Sequence, residues 1–350
     1  MTDTVDIDKT INITNDFTNK KGLCGLKNLG NTCFMNSIVQ CLSNSTELLD
    51  YMLSNRYKRE LNSEKEEAEL VNNWNIVVRN LWHRNATYTP AAFLRSVQSL
   101  AIMKDRGQFT GFQQNDSQEF LQFFLEMFHN AVCKEVTMDI TGKPRNDYDK
   151  MAIEAYKNYV GFFKNDYSQI VKLFYGQFFT RIKTITNGKE DCSRSFEPFN
   201  MLSLEIAKNS EGKYDLESCL QNFTKVENLE TDKENTVKYK EVKFWSLPRI
   251  LVIYFKRWDF RGRKINADVT FPIDELDMSK YVIGYNRDSY IYELYAISNH
   301  GGGSGGGHYW AYAKNSDNNW YKFNDNIVST LSVSRVISPE AYCLFYRLKN

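Results

Sequence analysis

The chain lacks any pair of cysteines at CxxC spacing, has only 6 prolines and 4 histidines in 350 residues, and carries a net charge of +1 at pH 7. Each shortage excludes something. So balanced a charge gives no reason to expect nucleic acid or an anionic membrane as the main partner. No apolar run approaches the ~18 residues of a membrane span, and Met1–Lys21 has no signal-peptide apolar core. The expected location is therefore a reducing compartment, cytoplasmic or nuclear. The cysteines agree: they stand at 24, 33, 41, 133, 192, 219 and 343, an odd number with no disulfide-like framework. Most are expected to be small buried apolar residues, and a structural role is the plain alternative for any one of them.

What is abundant is aromatic, with 21 Tyr and 23 Phe. Such content suits β-sheet faces packed with large rings better than a helical bundle alone. The length suffices for two average domains or one large enzyme domain.

Residues 1–21 are polar and aperiodic and read as a disordered tail, with the fold starting near Gly22. The stretch Gly25 to Ser37 then runs a Gly/Asn-rich turn into Phe34, Ile38, Val39, Cys41 and Leu42, an apolar spacing that predicts a helix. Cys33 stands at its start, where unpaired backbone N–H groups and the helix dipole favour a thiolate.

Leu70, Val71, Trp74, Val77, Val78, Leu81 and Trp82 predict an amphipathic helix, and Pro90 opens another with Phe93, Leu94, Val97 and Leu100. In Gly111-Phe112-Gln113-Gln114-Asn115-Asp116-Ser117-Gln118-Glu119-Phe120-Leu121, Asp116 or Asn115 can cap a helix that becomes apolar nearly all round. The Lys134–Asp166 stretch is only weakly helical.

Beyond Phe174 the texture turns to short alternating runs: 178–185, 199–206, 247–256, 290–298, 308–314, 319–323 and 341–347. Helices first and strands later predict an α+β fold. Val226–Val242, charged and poor in apolar residues, reads as a loop. Residues 301–307 hold six of the 18 glycines and have a flexible-linker composition, either a native loop or an engineered replacement.

A cysteine protease needs a thiol, an imidazole within reach and a polar side chain that fixes the imidazole tautomer. His83 and His129 lie near the ends of helical segments. His308 opens an alternating run at a strand start, and a side chain near Asn324 falls at hairpin distance on the next strand. Cys33, His308 and Asn324 thus form a candidate Cys-His-Asn set.

These stretches resemble the ubiquitin-specific proteases. GLKNLGNTCFMNSIVQCL, from Gly25 to Leu42, is similar to their cysteine box, and Ile297–Asn326, with GHYWAY and WYKFNDN, to their histidine box. GFQQNDSQEFL and Leu247-Pro248 through Lys256-Arg257-Trp258 resemble two further family motifs, in the family's order, over about residues 22–348.

The resemblance implies a papain-like fold with a thumb near 22–170, fingers near 171–245 and a palm near 246–350. It implies Cys33 as nucleophile, His308 as general base and later acid, and Asn324 as the residue orienting His308. Asn28 would be the oxyanion-hole side chain, and Asp325 would assist Asn324, whose amide offers no charge to an imidazolium. Gln114, Asp116 and Glu119 would line the channel for the ubiquitin tail, two carboxylates facing that tail's arginines, and His300 would pack. Ubiquitin or polyubiquitinated protein is the implied partner of a monomer.

Many members carry zinc-binding cysteine pairs in the fingers. Here Arg181–Asp191 and Glu227–Lys243 offer none, so no structural zinc and no cofactor are expected. The fingers must then be held by strand pairing and aromatic packing. An idle ubiquitin-binding scaffold on the same fold, and a protease of another ubiquitin-like modifier, are the alternative readings.

Overall fold

The computed structural model describes residues 22–303 and 306–349. The expected tail at 1–21, and Ser304 and Gly305 of the glycine-rich stretch, lie outside the described residues. The chain divides into two compact units, one taking the chain up to Val132 and then Tyr295–Val336, the other Cys133–Leu294 and the chain from Ile337 on.

The first unit begins with helices. β1 (Gly25–Leu26) leads through a turn to α1 (Cys33–Ser43), followed by α2 (Thr46–Leu53), α3 (Tyr57–Glu60) and α4 (Ala68–His83). A short β2 (Thr87–Tyr88) pairs in parallel with β1, and α5 (Ala91–Met103) and α6 (Ser117–Val132) complete the set. Pro90 takes the N-cap of α5, where its missing N–H costs nothing. The apolar positions read from the sequence in α4 are all buried.

Rings from three helices meet at one point. Trp74 of α4 lies 5.0 Å from Phe124 of α6 and 5.9 Å from Phe93 of α5, and Phe93 and Phe124 are T-shaped at 5.8 Å. Edge-to-face packing of this kind adds to the burial of the rings themselves.

The second unit holds α7 (Asp147–Phe163), α8 (Gln169–Phe174), β3 (Gly176–Thr186), β4 (Lys189–Phe199), β5 (Leu202–Glu205) and α9 (Leu216–Phe223). β6 (Glu227–Leu229), β7 (Thr236–Ser246) and β8 (Ile250–Lys256) follow. β4, β3, β7 and β6 form one antiparallel sheet.

The weakly patterned Lys134–Asp166 stretch therefore contains a helix, started by the Asn146 side chain accepting from the Asp149 N–H. The loop expected over Val226–Val242 is largely strand. A ladder with β3 running from Thr236 to Ser246 supplies the main-chain hydrogen bonds, so β7 needs no deep apolar face. Glu241 of β7 meets Arg181 of β3 at 2.6 Å, and on the other side of β3 Lys183 meets Glu190 of β4 at 2.6 Å.

At the base of this sheet Phe178 stacks on Phe199 at 4.1 Å, with Phe244 and Phe223 beside them. On the other face Phe179 and Phe196 pack against Ala155 and Met151 of α7. Among the described residues no group of His, Cys, Asp and Glu is arranged to hold a metal ion.

The expected strand over 199–206 is two strands, because the chain turns between Phe199 and Leu202. β8 is buried from Ile250 to Ile253. Just after it, the guanidinium of Arg257, 0% exposed, donates to the carbonyls of Ala341, Ile265 and Ala267, and burial lowers its pKa to about 10. It stays charged at neutral pH.

β9 (Ile291–Gly303) begins in the second unit and ends in the first. There it forms an antiparallel hairpin with β10 (Gly306–Lys314), which pairs with β11 (Trp320–Asn324), and that strand with β12 (Ile327–Leu331). β13 (Ala341–Leu348) pairs antiparallel with β8 in the second unit.

Replacing Phe124 by Ala should destabilise the protein by about 3–5 kcal/mol. Urea unfolding followed by circular dichroism measures this, and a loss below about 1 kcal/mol would contradict the packing described.

Candidate active site

The turn before α1 is shaped by residues of left-handed backbone, Gly30 with φ 103° and Asn31 with φ 54°. The side chain of Asn28 organises it. Its Oδ1 accepts from the backbone N–H of Gly30 and of Thr32, both at 3.1 Å, and its Nδ2 donates to Asp325 Oδ2 at 3.0 Å. Cys33 is the first residue of the helix that follows and is 4% exposed.

Three backbone N–H groups, of Tyr309, Phe34 and Cys33 itself, face the sulfur and favour the thiolate. Burial outweighs them and pushes the thiol up, and the negative Asp325 adds to the rise. Burial thus works against the thiolate that the helix terminus favours. Dipole and N–H groups act as predicted, but desolvation of a buried sulfur is the larger effect.

His308 stands on β10, opposite Gly301 of β9. Its Nε2 lies 2.5 Å from Asn324 Oδ1 at the end of β11. An amide oxygen only accepts, so the imidazole proton sits on Nε2 and Nδ1 keeps its lone pair. Among the described residues no hydrogen bond joins His308 to the Cys33 sulfur. Catalytic hydrogen bonds are often long before substrate binds.

Among the described residues no hydrogen bond joins the Asp325 carboxylate to His308 or Asn324. Both its carboxylate oxygens are engaged elsewhere, Oδ2 by Asn28 and Oδ1 by the Nδ2 of Asn36 at 2.8 Å. Its backbone, left-handed at φ 49°, also accepts from the Leu26 N–H. The turn between β11 and β12 thus orients the base with Asn324 and holds the Asn28 turn with Asp325.

Gln114 closes on the glycine-rich hairpin: its Nε2 donates to the Gly307 carbonyl and its Oε1 accepts from the Gly307 N–H, each at 3.0 Å. Gly307 itself admits no side chain, since a Cβ there would lie 2.2 Å from His300 Nε2. At that position glycine is a packing requirement, not merely a linker residue. His300 is buried with its ring 4.6 Å from that of Tyr309, as a packing residue.

The two expected channel carboxylates part company. Asp116 caps α6, its Oδ1 accepting from the Gln118 N–H at 2.7 Å. Glu119 lines a hollow with Arg106, Gln108 and Glu126, and burial, then the negative Asp116, raises its pKa. Neither Cys33 nor His308 borders that hollow.

Reading the sequence missed Asn36 and Ser37, polar residues 3% and 2% exposed inside an otherwise apolar helix. Their polarity on a buried helix was the available signal, since such groups need partners.

A helix-borne thiol, an imidazole oriented by an amide and an amide-braced turn beside the sulfur are carried on a papain-like α+β fold. The family model described as ubiquitin carboxyl-terminal hydrolase matches residues 24–346, and the chain belongs to that family. It is 35% identical over 348 residues to ubiquitin carboxyl-terminal hydrolase 2 of Bos taurus, covering 94% of this chain and 56% of the relative. The Homo sapiens hydrolase 2 is 36% identical over 349 residues, with the same coverage of 94% and 56%. The chain thus spans little more than half the length of these relatives. Among solved structures, a SAGA DUB module of Ubp8, Sgf11, Sus1 and Sgf73 bound to monoubiquitin matches with a TM-score of 0.70 at 27% identity, covering 94% of this chain and 70% of that one.

Replacing Asp325 by Ala removes the negative charge facing the sulfur, so the Cys33 pKa should fall. Iodoacetamide alkylation of Cys33, followed by mass spectrometry across pH, should show its midpoint move down. An unchanged or raised midpoint would contradict the assignment.

Proposed function

We propose that this chain is a deubiquitinating thiol protease that hydrolyses the isopeptide or peptide bond after the C-terminal glycine of ubiquitin. The observation that carries the reading is the 2.5 Å His308–Asn324 contact, which leaves Nδ1 as a base on an imidazole held by an amide oxygen. Family membership and the ubiquitin-bound structural neighbour support the substrate.

In the first step His308 Nδ1 takes the Cys33 proton as the sulfur attacks the scissile carbonyl. Because burial pushes the Cys33 thiol up, the sulfur needs the imidazole to take its proton. The negative oxygen that develops is held by the second N–H of Asn28 Nδ2, whose first is bound to Asp325, together with a backbone N–H at the start of α1. The imidazolium returns its proton to the leaving lysine amine, forming a thioester. Water, deprotonated by the same Nδ1, then releases ubiquitin and restores the thiol. Asn324 accepts from Nε2 throughout.

The substrate tail, an extended peptide ending in two glycines, would take over the amide of Gln114 that Gly307 now occupies. Polyubiquitinated proteins are the proposed partners of a monomeric enzyme acting in the cytoplasm or nucleus. Seven free thiols suit a reducing compartment.

A ubiquitin C-terminal fluorogenic amide tests the mechanism. Cys33→Ala should abolish turnover, and Asn28→Ala should lower kcat by about 10²–10³. Asp325→Ala should also lower kcat, although it makes the thiol more acidic. A ubiquitin suicide probe should label Cys33; binding of ubiquitin without labelling would instead support the scaffold reading.

A further inference from the structure

Three buried hydroxyls run in a line through the first unit. Ser37 of α1, one turn beyond Cys33, lies with its Oγ 3.0 Å from the Oγ of Ser298 on β9, and Ser298 lies 3.4 Å from Ser117 Oγ at the start of α6. Exposure of the three is 2%, 0% and 0%. Each belongs to a different part of the site: the nucleophile helix, the hairpin that carries His308, and the helix whose approach carries Gln114.

Counting protons gives the line a direction. Ser37 donates its single proton to the Phe34 carbonyl at 2.9 Å, so toward Ser298 it can only accept. The one proton of Ser298 then lies between Ser37 and Ser117, with the shorter leg to Ser37. The line ends on the first turn of α1, whose N–H groups face the sulfur. On the hairpin side, Ser298 pairs with Ala311, two residues along β10 from Tyr309, whose own N–H faces the same sulfur.

We propose that Ser298 is a positioning residue for the thiol chemistry: its shared hydroxyl sets the spacing between the nucleophile helix and the hairpin that presents the Tyr309 N–H and His308. The kinetic part of this proposal rests on the deubiquitinase reading; the part concerning the thiol does not. Apolar contact alone tolerates sliding by fractions of an ångström, whereas a hydrogen bond fixes distance and direction.

Two measurements on Ser298→Ala test it. Alkylation of Cys33 by iodoacetamide needs no ubiquitin; its pH midpoint should move up as the Tyr309 N–H withdraws from the sulfur. Turnover of the ubiquitin amide should fall about tenfold or more in kcat, with KM within about twofold, as expected when reacting groups are misplaced and binding is not. Val97→Ala, a core truncation on α5 away from the line, controls for lost stability and should leave the alkylation profile unchanged.

An alkylation profile for Ser298→Ala equal to that of the parent, or shifted equally in Val97→Ala, overturns the proposal. Should Ser298→Ala fail to fold, Ser37→Ala decides, since it removes the acceptor on the nucleophile helix: an upward shift is expected, and no shift overturns the proposal. If the parent turns over no ubiquitin substrate while the alkylation shift appears, the deubiquitinase reading fails and the positioning role stands.

Discussion

Helix α1 is buried along its whole length, Cys33 to Ser43, and it is not purely apolar. A buried polar side chain without a partner costs on the order of 1–3 kcal/mol, so each of these groups must meet something. What they meet is the rest of the site. Asn36 reaches Asp325, Ser37 reaches Ser298, and Gln40 donates to the Cys24 carbonyl at 2.9 Å. These bonds tie the helix to the hairpins and to the segment before it, although Asn36 Oδ1 and Gln40 Oε1 remain buried without a hydrogen-bond partner among the described residues. That constraint places Cys33 beside the strand that carries His308, whose neighbour Tyr309 turns its N–H to the sulfur.

The same burial creates the chemistry's main difficulty. A desolvated sulfur resists ionisation, and three backbone N–H groups do not fully offset this. Asp325 illustrates the compromise: its carboxylate holds the Asn28 turn in shape, yet its charge disfavours the thiolate. A thiol kept neutral until a base and a substrate are in place is protected from stray electrophiles. Activity then depends on geometry, which is why so many of the contacts around α1 are directional hydrogen bonds.

The second unit solves a different problem. Its four-stranded sheet carries charges along β3 and β7 and has its stacked phenylalanines at its base. Exposed ion pairs such as Arg181 with Glu241 contribute at most about 1 kcal/mol each. The long main-chain ladder therefore carries the order, and at its tip Thr186 and Thr236 share a hydroxyl hydrogen bond at 3.1 Å.

Much was legible in the sequence for a physical reason: helices α1, α4, α5 and α6 bury one stripe or more, and burial writes its period into the residues. The motifs around Cys33 and His308 likewise pointed to the thiol and the imidazole proposed to react. Strand β7 and helix α7 were not legible, because one is stabilised by a neighbour's backbone and the other by a cap and a sheet face distant in sequence. The sequence alone determined which side chains could react and the order of the helices and most strands, since those follow from local chemistry and periodicity. Only the tertiary structure decided that the Asp325 carboxylate meets Asn28 and Asn36, that Gln114 pairs with Gly307, and that Ser298 joins three elements. Those outcomes depend on distances between residues up to 297 positions apart, which no local pattern encodes.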